Sequence, residues 1–256
     1  ELTSSDYAGS GEARDKTLTR LNRQAIDFAE NVQRDFALPA GYFQRWGKIN
    51  GAASAVGEQA NRTYAAHLAA LGEPHEIYDA QTMREVTGSA YYASGLYTPG
   101  TALIQPAGYI RGLAAGLVGE GVRIFESSPV TGFESKGSGW VLSTPKGQVQ
   151  TTKAILANNG HLESFGFRRG QLMHIMLNAC MTEEIPADLL RGLGGQEVWG
   201  LTPSDPMGST VRRISTEALR DAAAREGTVI TRRLETITAL TRVYADETGR
   251  ALATPA

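Results

Sequence analysis

Apolar side chains recur every three to four positions in the first half of the chain, as they do along the buried face of a helix. This spacing predicts a long helix over 15–36, a second over 55–71 and a third over 106–118. A shorter helix is predicted over 79–86, because Asp79 is a residue type that caps a first turn. Between the first two helices, the aromatic-rich stretch 41–49 is predicted to be extended.

Strands are predicted where apolar and polar residues alternate between turns that contain glycine or proline. A run of this kind over 91–98 precedes the Pro-Gly turn at 99–100, and another is predicted over 122–125. The clearest group is a three-stranded meander with one solvated face. Its strands are predicted at 130–133, 140–143 and 149–151.

A compact apolar run over 153–157 is followed directly by Asn158, Asn159 and Gly160. An apolar run of this length is typical of a parallel strand that is buried on both faces. Ligands bind at the carboxyl ends of such strands in open α/β sheets. We therefore expect a buried strand here, with a ligand near its end.

The last third of the chain has a different pattern. Strands of an antiparallel sheet are predicted at 171–181, 197–201 and 209–214, with a short helix at 187–193. Taken together, the predicted elements indicate an α/β chain of mixed α+β type.

Composition excludes several classes of protein. The chain has 256 residues, with 25 Lys and Arg against 27 Asp and Glu, so it lacks the cationic surplus that nucleic-acid binding requires. No apolar stretch approaches the roughly 20 residues that cross a bilayer, and we expect no membrane partner. Cys180 is the sole cysteine, which excludes an intrachain disulfide, and we expect a cytoplasmic location.

Motifs that carry chemistry by themselves are absent from the sequence. It has no Walker A loop and no Cys-x-x-Cys pair, and its four histidines do not have the spacing of metal ligands, so we predict no metal site. Gly9-Ser10-Gly11 follows no apolar strand, which argues against a dinucleotide loop. These residues leave the catalytic groups unknown.

An ordered series of segments goes further than any single motif. Tyr91–Tyr97, Gly100–Pro106, Gly121–Glu126, Ser128–Gly132 and Lys153–Gly160 follow one another. In this order and spacing the chain resembles the FAD-dependent oxidoreductases of the D-amino-acid-oxidase-like family. The resemblance is strongest to the branch of bacterial gamma-glutamylputrescine oxidoreductases and glycine oxidases.

The resemblance implies part of a Rossmann-like FAD-binding domain interleaved with an antiparallel-sheet substrate domain. The expected segments are a helix linking to the FAD domain (1–36), the substrate domain (37–106 and 165–215), the FAD-binding part with its meander (107–164), and a tail that does not follow the family pattern (216–256). It also implies that FAD is bound by Val130, Ala157, Asn158 and Gly160. The alternative interpretation of Val130 is an ordinary apolar strand residue.

The implied reaction oxidises the C–N bond of an amine or amino acid. Hydride would pass to the flavin, and the imine would be hydrolysed. The alternative is a non-catalytic fragment or binding module, because neither the glycine-rich loop nor the C-terminal flavin segment of that family is found and the chain begins with Glu1. We therefore expect a fragment of a longer enzyme, with a small amine or amino acid as its partner.

Two further places are candidates near a substrate. Gln105 and Pro106 lie where the chain would return to the flavin domain, although a simple turn explains them equally well. Arg212 and Arg213 are neighbours on a predicted strand, so alternation sends them to opposite faces. One of them could bind a substrate carboxylate through a bidentate pair, whereas solvated strand arginines are the ordinary alternative.

Overall fold

The computed structural model describes residues 12–172, 182, 184–206 and 208–214. The chain divides into two units by its internal contacts. Unit 1 consists of Glu1–Gly119 together with Met181–Ala256, and unit 2 consists of Glu120–Cys180. The predicted strand at 171–181, Cys180 and the tail 216–256 lie largely or wholly outside the described residues.

Unit 1 contains the five α-helices of the described residues, and each of the five helices predicted within those residues is confirmed. They are α1 (Glu12–Asp35), α2 (Ala55–Leu71), α3 (Ala80–Thr87), α4 (Pro106–Gly119) and α5 (Ala187–Leu193). Local chemistry sets the ends of α2. The Ser54 side chain accepts a hydrogen bond from the Gly57 amide, and Gly72 ends the helix in the left-handed conformation at φ 72°.

Ten short strands lie in three sheets of the described residues. In unit 1 they are β1 (Phe43–Gln44), β2 (Lys48–Ala52), β3 (Glu76–Asp79), β4 (Ser94–Thr98), β5 (Leu103–Ile104), β9 (Trp199–Pro203) and β10 (Val211–Arg213). In unit 2 they are β6 (Gly132–Lys136), β7 (Gly139–Thr144) and β8 (Gly147–Thr151). The mixed α+β class is therefore confirmed.

The main sheet of unit 1 has the strand order β10-β9-β2-β4-β3. All its pairs are antiparallel except β2 with β9, so the sheet is mixed rather than antiparallel throughout. Its two faces are covered by different helices. Leu96 packs against Tyr64 and Leu68 of α2, whereas Ile49 packs against Met83 of α3. This sheet positions the polar and charged residues discussed below.

Helix α4 has a row of glycines at every fourth position, Gly108, Gly112 and Gly116. A Cβ atom at Gly108 would lie 2.5 Å from Cζ of Tyr42, and one at Gly112 would lie 2.5 Å from a Leu38 methyl. The row is therefore a groove into which larger side chains of the preceding segment pack. Tyr42 is fully buried there, beside Val32 of α1.

Gly108→Ala is expected to lower the free energy of unfolding by about 2 kcal/mol, because the added methyl group overlaps the buried Tyr42 ring. Gly119→Ala is the control at the end of the same helix, since a Cβ there meets open space. We expect that change to be neutral or slightly stabilising. Urea denaturation of both variants is the measurement, and equal midpoints would contradict the groove.

Unit 2 contains the predicted meander, which is confirmed. β7 pairs antiparallel with both β6 and β8. The Phe133 ring stacks on Trp140 with 4.5 Å between centroids, and it meets Phe165 and Phe167 edge-on at 6.1 Å. This aromatic cluster attaches the 3₁₀ helix Asn159–Phe165 to the sheet.

Two predicted strands of unit 2 are wrong. Residues 122–125 and 153–157 form no strand, and Ile155 is 93% exposed rather than buried. A strand requires a neighbour for its backbone N–H and C=O groups, and no described strand pairs with either segment. The apolar pattern identifies residue types that favour burial, but it contains no information on whether a neighbouring strand is present to pair with them. The domain boundaries and their FAD and substrate assignments stay a prediction.

Candidate functional site

The four residues that the family resemblance assigned to FAD lie in the irregular parts of unit 2. Val130 is half-buried and lies two residues before β6. Ala157 is exposed, whereas Asn158 and Gly160 are half-buried at the start of the 3₁₀ helix. The structure therefore keeps the last three together, without the buried strand that was predicted to end there. Phe133 and Phe165 connect this segment to the strand that follows Val130.

Asn158 has the feature expected of a ligand contact. Its Oδ1 atom is buried and accepts no hydrogen bond from the described residues. An orphaned buried acceptor costs free energy unless a donor reaches it. Adenine and ribose both carry such donors, as an amino group and as hydroxyls. The residues present in this segment thus fit the nucleotide part of FAD at Asn158.

Gln105 and Pro106 have a structural role at the start of α4. The Gln105 side chain accepts a hydrogen bond from the Gly108 amide at 2.5 Å, and Pro106 is the first residue of the helix. Proline is favoured there because its missing N–H would have no partner in the first turn. The Gln105 amide also donates to the Tyr42 carbonyl at 2.9 Å. The turn interpretation accounts for every one of these contacts.

Arg212 and Arg213 point to opposite faces of β10, as alternation predicts. Arg212 donates from Nη1 to the carbonyl of Ile104, and Arg213 donates from Nη1 to the carbonyl of Gly194 at 2.6 Å. Arg212 is the more enclosed of the two, and burial lowers the pKa of its guanidinium from the usual value. Its Nε atom is buried and has no hydrogen-bond partner among the described residues.

Arg212 thus contacts Ile104, the residue just before Gln105. Two candidate regions that were identified separately in the sequence are therefore adjacent in the structure. A guanidinium stays charged even when burial lowers its pKa. Its orphaned Nε–H is a donor in a half-buried setting that an acceptor would satisfy. A substrate carboxylate is an acceptor of this kind.

Comparison with known proteins decides the family. Residues 4–213 match the family described as FAD dependent oxidoreductase, DAO, which is well over half of the chain. The chain belongs to this family. The resemblance noted in the sequence is confirmed.

Curated relatives in this family are matched over part of their length. The probable oxidoreductase OrdL of Haemophilus influenzae is 32% identical over 88 residues, which are 34% of this chain and 20% of that protein. The protein of the same name in Rhizobium meliloti is 30% identical over 114 residues, which are 42% of this chain and 27% of that protein. The matched stretches thus span about a fifth to a quarter of those relatives.

Solved structures of the same kind share the fold. Glycine oxidase from Geobacillus kaustophilus has a TM-score of 0.50 at 22% identity, covering 59% of this chain and 41% of that one. L-proline dehydrogenase from P. horikoshii also scores 0.50, at 13% identity, covering 64% of this chain and 43% of that one.

Among the helices that the structure describes, none combines the length and apolar character needed to cross a bilayer.

The sequence of this DAO-family chain gave no indication of one carboxylate with well-defined partners, Asp205. Asp205 follows β9 and accepts hydrogen bonds from the Ala53 amide at 2.7 Å and from the Ser54 hydroxyl. These donors lower the pKa of Asp205 from its usual value, the Ser54 hydroxyl most. Asp205 therefore joins the end of β9 to the start of α2. No local pattern reveals it, because its partners lie about 150 residues away.

Asp205→Ala is expected to lower the free energy of unfolding by about 1 kcal/mol at neutral pH, the usual net value of a hydrogen bond. Because the folded-state pKa is lowered, this stabilisation is present above the unfolded value of about 3.9 and is lost as pH falls through the folded pKa. Urea denaturation at pH 7 and at a pH below 4 checks it. A difference from wild type that does not shrink in acid would contradict the assignment.

Proposed function

We propose that this chain is part of an FAD-dependent oxidoreductase that oxidises the C–N bond of an amine or amino acid. The observation that carries the proposal is the DAO-family match over residues 4–213, which includes a segment with a buried acceptor at Asn158. Glycine oxidase and L-proline dehydrogenase, which share the fold, are named for amino-acid substrates. We extend that class of substrate to this chain as part of the proposal.

Four residues of unit 2 would hold the cofactor. The Asn158 side chain would accept a hydrogen bond from the nucleotide, because its Oδ1 atom has no donor among the described residues. Val130, Ala157 and Gly160 would contribute backbone groups and close approach, since their side chains are small or absent. Bound FAD supplies the hydride acceptor for the oxidation of an amine.

In unit 1, Arg212 would hold and orient a substrate carboxylate through its guanidinium. Its half-buried position makes such a charge-assisted hydrogen bond stronger than one in bulk water. The Ile104 carbonyl already fixes one of its nitrogens, so the direction of the guanidinium is set before a substrate arrives. Arg213 donates to a carbonyl near α5 instead, which makes it a suitable control.

The first test of the proposal is cofactor binding by residues 1–256. The protein is incubated with excess FAD and separated by gel filtration, and the flavin spectrum of its peak is recorded. We expect about one FAD per chain. Asn158→Leu is expected to weaken binding about tenfold, the cost of one buried hydrogen bond, whereas exposed Asn31→Leu leaves it unchanged. A folded peak without flavin would favour a non-catalytic binding module instead.

The second test concerns the substrate. Oxidation is followed with amino acids and with amines that lack the carboxylate. Arg212→Met is expected to raise KM at least about tenfold for amino acids alone, and Arg213→Met to change it little. Equal effects of Arg212→Met on both kinds of substrate would remove the carboxylate role of Arg212. They would leave the flavin assignment unchanged.

A further inference from the structure

We propose that unit 1 binds a small alkylammonium cation at an aromatic surface on the main sheet, beside α3. The aromatic surface consists of three side chains, Trp46, Tyr78 and Tyr97. Tyr97 stacks on Tyr78 with 5.5 Å between ring centroids and an interplanar angle of 9°. Trp46 meets Tyr97 edge-on, at 5.7 Å and 77°. All three side chains are half-buried, so part of each remains open to a ligand.

Strand register places a carboxylate beside two of these rings. Glu76 of β3 is directly opposite Tyr97 of β4, and Tyr78 is two positions further along β3. Directly paired residues share a face of the sheet, as do residues two apart on one strand. Burial, and after it the negative charge of Glu76, raises the pKa of the Tyr78 and Tyr97 hydroxyls. The Glu76 carboxylate therefore lies close enough to act on both.

The charges at this edge of the sheet favour a cation. Glu76 is exposed, and no cation among the described residues forms an ion pair with it. Glu73 differs because it pairs with Arg23, and Asp79 differs because its side chain caps α3. Residues 63–83 contain no Lys or Arg. Within the described part of the chain, the carboxylate at the aromatic surface thus lacks a counter-charge, which a bound cation would provide.

Aromatic rings select the kind of cation. The faces of a ring carry negative charge, so they attract a cation that comes within about 6 Å of the ring centroid. Alkylated ammonium groups are bound in this way, because their apolar methyl groups pack on the rings while the positive charge stays close. A hydrated metal ion has no apolar groups to pack there. Rings together with one carboxylate therefore favour an alkylammonium ligand over an inorganic cation.

Two contacts fix the Tyr97 ring at the centre of the aromatic surface. Its hydroxyl donates a hydrogen bond to the Trp46 carbonyl at 2.6 Å. Gly47 lies against the ring, since a Cβ atom there would be 2.6 Å from Cε2 of Tyr97. Its φ of 86° also favours glycine. A ring that is already held in place loses little freedom when a ligand binds, which favours affinity.

The aromatic surface is separate from the site proposed for a substrate carboxylate. Tyr97 is paired with Ile49, Ile49 with Leu201, and Leu201 with Val211, so these four side chains share one face of the main sheet. Arg212 follows Val211 on β10 and therefore lies on the other face. The cation site thus does not depend on the proposed oxidation.

Binding of tetramethylammonium to FAD-free residues 1–256 tests the proposal directly. Proton NMR records its methyl resonance as protein is added, with sodium chloride holding the ionic strength constant. Protons above an aromatic face resonate at higher field, so we expect a saturable upfield shift with a dissociation constant of about 1–10 mM. Glu76→Gln, which removes the exposed charge, and Tyr78→Leu, which removes one ring, are each expected to weaken binding about three- to fivefold.

Matched controls separate this site from general charge and apolar effects. Glu134→Gln removes an exposed carboxylate of β6, and Phe28→Leu removes an exposed ring of α1, so both variants should bind as wild type does. tert-Butanol has a similar shape without the charge and should bind at least about tenfold more weakly.

Three results would each overturn the proposal. The first is no upfield shift with tetramethylammonium at about 100 mM, which would occupy most of a millimolar site. The second is wild-type affinity in either Glu76→Gln or Tyr78→Leu. The third is equal affinity for tert-butanol, which would indicate an apolar surface without preference for a cation. Because FAD is absent, none of these results depends on the proposed flavin function.

Discussion

Asp15→Ala is expected to lower the free energy of unfolding by about 3 kcal/mol, one of the two largest effects that the structure predicts. Asp15 on α1 is fully buried, and its Oδ2 atom lies 3.1 Å from Nε2 of His67 on α2. The His67 side chain is itself buried. Removing the carboxylate leaves the ring nitrogen enclosed without this partner, which costs more than the loss of a solvated contact.

Urea denaturation measures this effect, with an exposed ion pair on the same helix as the control. Glu12 and Lys16 of α1 form an exposed pair at 2.5 Å. Lys16→Ala should leave the midpoint almost unchanged, since solvent and salt screen such pairs. Asp15→Asn retains the volume and one hydrogen-bonding oxygen, so its loss should be smaller than that of Asp15→Ala. If Asp15→Ala behaved like Lys16→Ala, the buried pair would not connect α1 to α2 as described.

Local chemistry explains which elements could be predicted. The bounds of α2 and α5 follow from the sequence to the residue, because glycines end both helices and Ser54 caps the first turn of α2. A helix makes its hydrogen bonds within itself, so nearby residues carry most of the information about its ends. The meander of unit 2 could be predicted for a related reason. Its strands are joined by short turns of two residues.

Partners that are distant in sequence explain the failures. Glu76–Asp79 is a strand because β4 pairs with it, although its order Glu-Ile-Tyr-Asp gives no alternating signal. Lys153–Ala157 has an apolar composition and forms no strand, because no described strand lies beside it. A strand is completed by its neighbour, and neither of these sequences contains information about that neighbour.

The candidate site residues also fall into those that the sequence indicates and those that depend on partners distant in sequence. Asn158 was selected because an ordered series of motifs surrounds it, and that order is visible in one sequence. The pairing of Lys48 with Thr98 and the contact of Arg212 with Ile104 depend on strand register across about 50 and about 110 residues. Nothing near Lys48 in sequence distinguishes it from a solvated lysine. The surroundings of Lys48 and Arg212 could therefore be described only once the sheet was known.

Gly88→Ala is expected to cost about 3 kcal/mol, because two backbone segments cross there without room for a side chain. Gly88 ends α3 with φ 77°, and a Cβ atom on it would overlap the carbonyl oxygen of Leu193 at the end of α5. On the other side of the crossing, Gly195 has φ 76°, and the Gln196 amide donates to the Val86 carbonyl at 2.8 Å. Neither backbone can move away by changing a rotamer.

Gly72→Ala is the control that distinguishes the cost of the steric overlap at Gly88 from the cost of placing alanine in a left-handed backbone conformation. Gly72 has nearly the same left-handed φ, 72°, but a Cβ atom there meets nothing within 4 Å. Its replacement should cost only about 1 kcal/mol, the usual penalty for alanine in that conformation. The difference between the two urea midpoints thus measures the overlap.

The crossing also lies just before β9, which pairs with the strand that carries Arg212. Gly88→Ala is therefore expected to weaken amino-acid binding as well. If Gly72→Ala and Gly88→Ala lowered the free energy of unfolding equally, the crossing would not be tight.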